Sequence, residues 1–218
     1  MTPPAFAQLP AGDLVLASAS SIRAKILHDA GLDYRCYPVA IDEESVRASA
    51  KAEAVAVGDI AIILAEMKAA AAVQRLALET NPVPGYVLGC DQILSCDEVI
   101  YNKPQNHAMA KAQLIALSGK THQLFSAAVL NRHGERVWHH LAIAKITMRH
   151  LDERFIDSYL ERLGAAAYSS PASYQIESLG VQLLSRIDGC HFAILGLPLL
   201  ELLGILREHG LKPVEDHQ

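Results

Sequence analysis

The chain has 218 residues, 51% hydrophobic and 20% charged, with a formal net charge of −5. That length suits one large domain or two small lobes, and a chain of this size buries roughly 70% of its unfolded surface without disulfides. The acidic balance argues against a general nucleic-acid binder but leaves room for a local cationic pocket that takes phosphates.

The opening segment MTPPAFAQLPAG has no basic stretch followed by a long apolar core. It does not read as a signal peptide, and residues 1–12 are expected to be a flexible extension. Leu14 to Ala17 is a short apolar run that predicts a buried strand. Ser18, Ala19, Ser20 and Ser21 lead into a helical pattern from Ile22 to Ala30, stopped by Gly31. Tyr34 to Val39 alternates as a second strand and leaves through the acidic turn Ile41 to Ser45. A long helix is expected from about Ala48 to Glu79, interrupted near Gly58 and ended by the turn Asn81 to Gly85. Asp59, Glu66 and Lys68 make its alanine-rich part too polar for a membrane span.

Tyr86 to Gly89 predicts another buried strand, with Asp91 delivered at its C-terminal end. A short strand at Val99 to Tyr101 and an amphipathic helix from Asn106 to Leu117 follow. Thr121 to Asn131 and Arg136 to Arg149 flank Arg132-His133-Gly134-Glu135, which is a hairpin pattern. Asp152 caps a helix that runs to Leu163 and stops at Gly164. A loop-and-strand region reaches Gly189, and Pro198 opens a last helix that ends at His209-Gly210. Alternating strands and helices predict an α/β fold with an antiparallel portion. One domain is expected over residues 13–210, with a smaller lobe at about 105–150 and a tail at 211–218. Cys36, Cys90, Cys96 and Cys190 match no usual zinc spacing and read as thiols of a reducing compartment. The expected location is cytoplasmic.

Four segments carry candidate chemistry. The strand–turn–helix at Leu16 to Arg23 offers hydroxyls from Ser18 and Ser20 and the positive end of a helix to an anion. Ser20 also suits a plain helix cap, and Arg23 is a planar donor for phosphate. Asp91 at the end of an apolar strand is either a structural acceptor or a catalytic group, because a lone buried carboxylate is costly. Lys68 lies on a helix and Lys103 in the turn Asn102-Lys103-Pro104. Leu117 to His122 forms the turn between a helix and the hairpin.

Together these segments closely resemble the Maf family of nucleotide pyrophosphatases. The resemblance spans roughly residues 14 to 210. LASASSIR at Leu16–Arg23, Ile41-Asp42-Glu43, LAEMKA around Lys68, Gly89-Cys90-Asp91-Gln92, Lys103-Pro104, LSGKTHQ at Leu117–Gln123 and GLPL at Gly196–Leu199 all stand in the family's order. The resemblance implies a Maf-like α/β fold of two lobes around a central mixed sheet, with a nucleotide-binding cleft. It implies a divalent metal requirement, with magnesium or manganese held by Glu43 and Asp91, and Asp91 as the proton acceptor. Ser18, Ser20, Arg23, Lys68 and Lys103 would contact the substrate. The implied partner is a small-molecule nucleoside triphosphate, without nucleic acid or membrane, and a homodimer is an allowed assembly.

Departures from the commoner family pattern bear on the base. Ser21 stands where a proline is usual, and Ile22 where the family has an arginine or, in the branch resembling 7-methyl-GTP pyrophosphatases, a tryptophan. Gln92 and Glu177 match that same branch. A glutamate can accept from the N1–H and 2-amino groups of guanine and offset the charge of a methylated ring. Isoleucine cannot stack on a cationic base as tryptophan would. Ile22, Gln92 and Glu177 are therefore the expected specificity positions. A 7-methyl-GTP or other modified purine nucleotide is the first expectation. A dTTP, UTP or broad-specificity pyrophosphatase and a weakly catalytic nucleotide-binding regulator of division are the alternatives.

Overall fold

A computed structural model of the protein describes residues 13–79 and 85–210. The expected N-terminal extension, most of the turn before Gly85 and the C-terminal tail lie outside the described residues. Strands and helices alternate as expected of an α/β chain. The elements are β1 (Leu14–Ala17), α1 (Ser21–Asp29), β2 (Arg35–Cys36), α2 (Glu43–Ala52), α3 (Val57–Glu79), β3 (Tyr86–Cys96) and β4 (Val99–Tyr101). They continue as α4 (His107–Leu117), β5 (Thr121–Arg132), β6 (Glu135–Met148), α5 (Glu153–Leu163), β7 (Leu184–Asp188), α6 (His191–Ile194) and α7 (Leu199–Glu208). Three short 3₁₀ turns lie between α5 and β7. The sheet is mixed, in the order β2-β1-β3-β5-β6-β7, with β4 also beside β3.

Local signals account for most helix ends. Ser20 caps α1 by accepting from the Arg23 amide, and Asp42 caps α2 by accepting from Ser45. Asn106 and Asp152 do the same for α4 and α5. Gly31 and Gly164 take the positive φ that stops α1 and α5, at 72° and 54°. Pro198 is the residue before α7 rather than part of its first turn.

Several expectations are corrected. The acidic segment at Ile41–Ser45 is not a turn: Asp42 and Glu43 start α2, whose first-turn carboxylates suit the helix dipole. The break in the long helix falls at residues 53–56, before Gly58, and Ala54 carries it with φ 53°. The second strand shrinks to Arg35–Cys36, because β1 offers it only Val15 and Leu16 as partners. β3 runs seven residues past Gly89, so Asp91 lies inside the strand. What ends near it is the parallel neighbour: the last pair with β1 is Ala17 with Gly89. The hairpin turn is only His133-Gly134, both left-handed, which matches the twist of the paired strands.

The described chain divides into two compact units. The first comprises residues up to Asp91, Ser126–Leu141 and the segment from Gly196 onward. β1 is wholly buried, as a run with parallel neighbours on both sides should be. Val15, Ala17 and Val87 pack there with Ala69, Ala72 and Leu76 of α3. The second unit comprises Gln92–Phe125 and Ala142–Leu195. Its core joins Leu114 and Leu117 of α4, Ile146 and Met148 of β6, Ile156 and Leu160 of α5, and Tyr174 and Leu183. Of the expected lobe at 105–150 it holds residues 105–125 and 142–150, while Ser126–Leu141 belongs to the first unit.

Candidate active site

The site in the first unit begins with a close approach of α3 to β3. A Cβ on Gly89 would overlap the Ala65 carbonyl oxygen and stand 2.9 Å from the Ala69 amide nitrogen. Only glycine lets the helix backbone lie this near the strand. Two residues on, Asp91 is buried at 4% exposure, and Lys68, on the same helix turn as Ala65 and Ala69, reaches it.

Lys68 Nζ lies 2.6 Å from Asp91 Oδ1 and 2.7 Å from Glu43 Oε1. The Lys68 ammonium therefore bridges two carboxylates, one from a strand interior and one from a helix start. Arg47, one turn along α2, sets Nη2 2.9 Å from Glu43 Oε2 and 3.9 Å from Asp91 Oδ2. Arg47 is not among the residues to which the sequence motifs point. Its signal is the i, i+4 spacing from Glu43 on a capped helix.

Burial raises the Asp91 carboxyl above its ordinary value of 3.8, while Lys68 and Arg23 pull it back down and Glu43 pushes it up again. A carboxylate held by cations yet costly to ionise is poised to take a proton. Its neighbour Cys90 is the opposite case: burial lifts that thiol to about 11, which keeps it protonated and unreactive. Asp91 Oδ2 is buried and has no hydrogen-bond partner among the described residues.

The expected metal site lies in the same region. Among the described residues no three His, Cys, Asp or Glu side chains cluster as metal ligands. Glu43 and Asp91 nevertheless fit a hard cation that arrives with a polyphosphate. Such an ion takes one or two protein carboxylates and fills its remaining positions with phosphate oxygens and water.

The serine-rich turn stands at the end of β1. Ser18 is 8% exposed, and its Oγ accepts from the Ser20 amide and from Arg23 Nη1, both at 3.2 Å. That leaves the hydroxyl proton to be donated to an anion. Arg23 is 9% exposed. It donates through Nε to the Gly196 carbonyl at 2.8 Å and through Nη1 to the Cys90 carbonyl at 3.1 Å. The expected phosphate donor is thus a fastener in this conformation, tying the serine turn to β3 and to the start of the GLPL segment. Gly196 has φ 97°, and a Cβ there would come within 3.2 Å of Arg23 Nε. Ile22, beside it on α1, is half-buried.

Ser18, Ser20, Ile22, Arg23, Glu43, Lys68 and Asp91 all belong to the first unit, and Gln92, Lys103 and Glu177 to the second. Gln92 is half-buried, and its Nε2 donates to the carbonyls of Ala193 and Ile194 at 3.1 and 3.0 Å. It holds the end of α6 in place. Lys103 is exposed, next to the buried Pro104. Glu177 is exposed on the turn at residues 176–178.

Comparison with known proteins places the chain in a family. A family model described as "Maf-like protein" matches residues 13–209. A nucleoside triphosphate pyrophosphatase of Paramagnetospirillum magneticum is 46% identical over 196 residues, covering 90% of this chain and 98% of the relative. A 7-methyl-GTP pyrophosphatase of Mesorhizobium japonicum is 45% identical over 198 residues, covering 90% of this chain and 96% of its own. Another 7-methyl-GTP pyrophosphatase, from Brucella abortus, is 46% identical over 194 residues, covering 89% and 94%. With the family model matched almost from end to end and relatives of this similarity aligned over nearly their whole length, the chain belongs to the Maf family.

Proposed function

We propose that this chain is a nucleoside triphosphate pyrophosphatase that releases pyrophosphate and a nucleoside monophosphate. The observation that carries the reading is the Lys68 ammonium held between the buried Asp91 and Glu43, at 2.6 and 2.7 Å. Phosphoryl-group hydrolysis needs positioning, charge neutralisation and a group to orient water. Asp91 takes the proton of the attacking water, whose oxygen bonds to the α phosphorus as the α–β bridging bond breaks and pyrophosphate leaves. Lys68 and Lys103 neutralise the triphosphate. Ser18, Ser20 and the start of α1 receive its oxygens, while Arg23 keeps that turn in shape. A divalent cation, magnesium or manganese, draws further charge from the phosphates when bound, and Glu43 and Asp91 are the residues that would hold it.

For the base, Glu177 supports a preference for 7-methyl-GTP or another modified purine nucleotide, as two of the relatives are named for. Glu177 is exposed and accessible to a base, which its carboxylate reads through paired N–H donors. The proposed location is cytoplasmic; among the described residues no helix is long and apolar enough to cross a membrane.

Pyrophosphate release across canonical and methylated triphosphates, with and without added divalent cation, tests the whole reading. Release from none of them, with nucleotide binding retained, would favour the regulator alternative. Fastest turnover of dTTP or UTP would leave the chemistry standing and overturn the base assignment.

A further inference from the structure

We propose that a polar scaffold in the second unit, made by the buried His122, Tyr174 and Tyr159 and the half-buried Gln113, positions the turn that presents Glu177 and thereby sets base selectivity. The inference rests on the reading of Glu177 as the residue that recognises the base.

Glu177 is exposed, so its own packing does not fix its place, and the turn backbone must. Three residues before it, Tyr174 is only 7% exposed, and its hydroxyl lies 2.7 Å from His122 Nε2 on β5. His122 is completely buried, and the two rings meet edge to face at 5.6 Å. The preceding two residues are tied to other elements. The Tyr159 hydroxyl of α5 donates to the Ser173 carbonyl at 2.8 Å, and the Ala172 amide donates to Gln113 Oε1 of α4 at 3.0 Å.

These ties hold an unfavourable backbone. Ala172 and Ser173 have φ 55° and 54° in succession, a left-handed region that residues with a Cβ avoid. Such strain persists only where the surroundings over-determine it, and it gathers at functional segments. The far side of the turn is equally constrained. Ser178 donates to the Gln175 carbonyl through its amide at 3.1 Å and its hydroxyl at 3.2 Å. A Cβ on Gly180 would stand 2.5 Å from that same carbonyl oxygen. Beyond it, Arg149 binds the carbonyls of Gln182 and Leu183 at 2.6 and 2.9 Å.

Packing alone does not explain His122. Phenylalanine would fill the same space without a buried ring nitrogen, and His122 Nδ1 and Ser173 Oγ have no hydrogen-bond partner among the described residues. A buried polar network of this kind is costly unless its directionality is used. Burial also pushes the His122 imidazole down to about 4, so it is a neutral hydrogen-bonding group near pH 7. The directionality here fixes Tyr174, and Tyr174 fixes the start of the Glu177 turn.

The test compares kcat and KM for 7-methyl-GTP and for UTP in Tyr174→Phe, His122→Phe, His122→Gln, Gln113→Ala and Glu177→Gln, with melting temperatures for each. Loss of the Tyr174 hydroxyl should cut the preference for 7-methyl-GTP about tenfold, a size typical of one misplaced polar contact. The loss should fall on KM, with UTP turnover unchanged. His122→Gln should restore part of what His122→Phe removes, and Gln113→Ala supplies a milder variant should the ring substitutions fold poorly. An equal drop for both nucleotides alongside a lower melting temperature would mean a merely structural role and sink the inference. Unchanged selectivity in the scaffold variants, with a changed one in Glu177→Gln, would reject the scaffold and leave Glu177 as base reader. Unchanged selectivity in Glu177→Gln would remove both.

Discussion

Asp91→Asn is the most direct perturbation of the chemistry. The amide is nearly isosteric with the carboxylate, and its oxygen can still accept from Lys68 Nζ at the 2.6 Å position of Oδ1. Glu43 continues to hold the ammonium from the other side at 2.7 Å. What disappears is the ability to accept a proton. Removal of a general base costs about 10²- to 10⁴-fold in rate, or about 2.7 to 5.5 kcal/mol on the barrier.

Stability should move the other way with pH. The folded-state pKa of Asp91 is raised above 3.8 because burial outweighs its cationic neighbours. The folded state therefore holds the proton more tightly than the unfolded chain does. That contribution is complete below 3.8 and is lost as pH rises through the folded value. Asparagine carries no such dependence. Relative to the native protein, Asp91→Asn should gain stability as pH climbs from about 4 towards neutrality, even as activity collapses. Pyrophosphate release from the best triphosphate gives the rate, and thermal melts over a pH series give the stability. Turnover at the native level in Asp91→Asn would refute the assigned role outright. A rate loss matched by a falling melting temperature at neutral pH would make Asp91 a structural acceptor instead.

Lys68→Met removes the cation that lowers the Asp91 carboxyl, so the acidic limb of the kcat/KM profile should move to higher pH while KM for the triphosphate rises; an unmoved limb would contradict the coupling. Arg23→Ala should lower the melting temperature by about 4–12 °C, because breaking buried hydrogen-bonded charge contacts costs on the order of 2–3 kcal/mol. A native melting curve with a raised KM for triphosphates alone would instead return Arg23 to direct phosphate binding. Gly89→Ala pushes a methyl into the Ala65 carbonyl and should cost about 1–3 kcal/mol in urea unfolding, with lost activity because α3 carries Lys68. Ile22→Trp should sharpen selectivity for the cationic methylated base over plain GTP, and an unaltered ratio in competitive assays would remove Ile22 from the base site.

The parts legible in the sequence are those that local chemistry decides. α5 could be bounded at both ends because Asp152 caps it and Gly164 stops it within the helix's own turns. β4 and the hairpin were equally readable, since a two-residue left-handed turn writes itself as His-Gly between alternating strands. The sequence pattern ends β3 early because Asp91, Gln92 and Ser95 interrupt an apolar run. Its extension to Cys96 depends on pairing with β4, which a periodicity count does not contain. The span at residues 164–183 reads in the sequence only as part of a loop-and-strand region. It is held by Tyr159, Gln113 and Arg149 rather than by its own pattern.

The candidate site divides along the same line. Glu43, Lys68 and Asp91 were each named from sequence, and their meeting within 2.7 Å follows from a capped helix start, a helix face and a glycine that lets helix and strand close up. The helix signal for Arg47 was present but had no meaning until Glu43 was seen to face Lys68. For Arg23 and Gln92, position in a motif points to ligand contact. Their hydrogen bonds go to carbonyls at Gly196, Cys90, Ala193 and Ile194, up to 173 residues away. A polar residue in a substrate-binding motif need not touch substrate to be required there. A buried guanidinium or half-buried amide that fastens two segments shapes the site as strictly as one that binds phosphate. Only a ligand-specific change in KM, set against the melting temperature, separates the two roles.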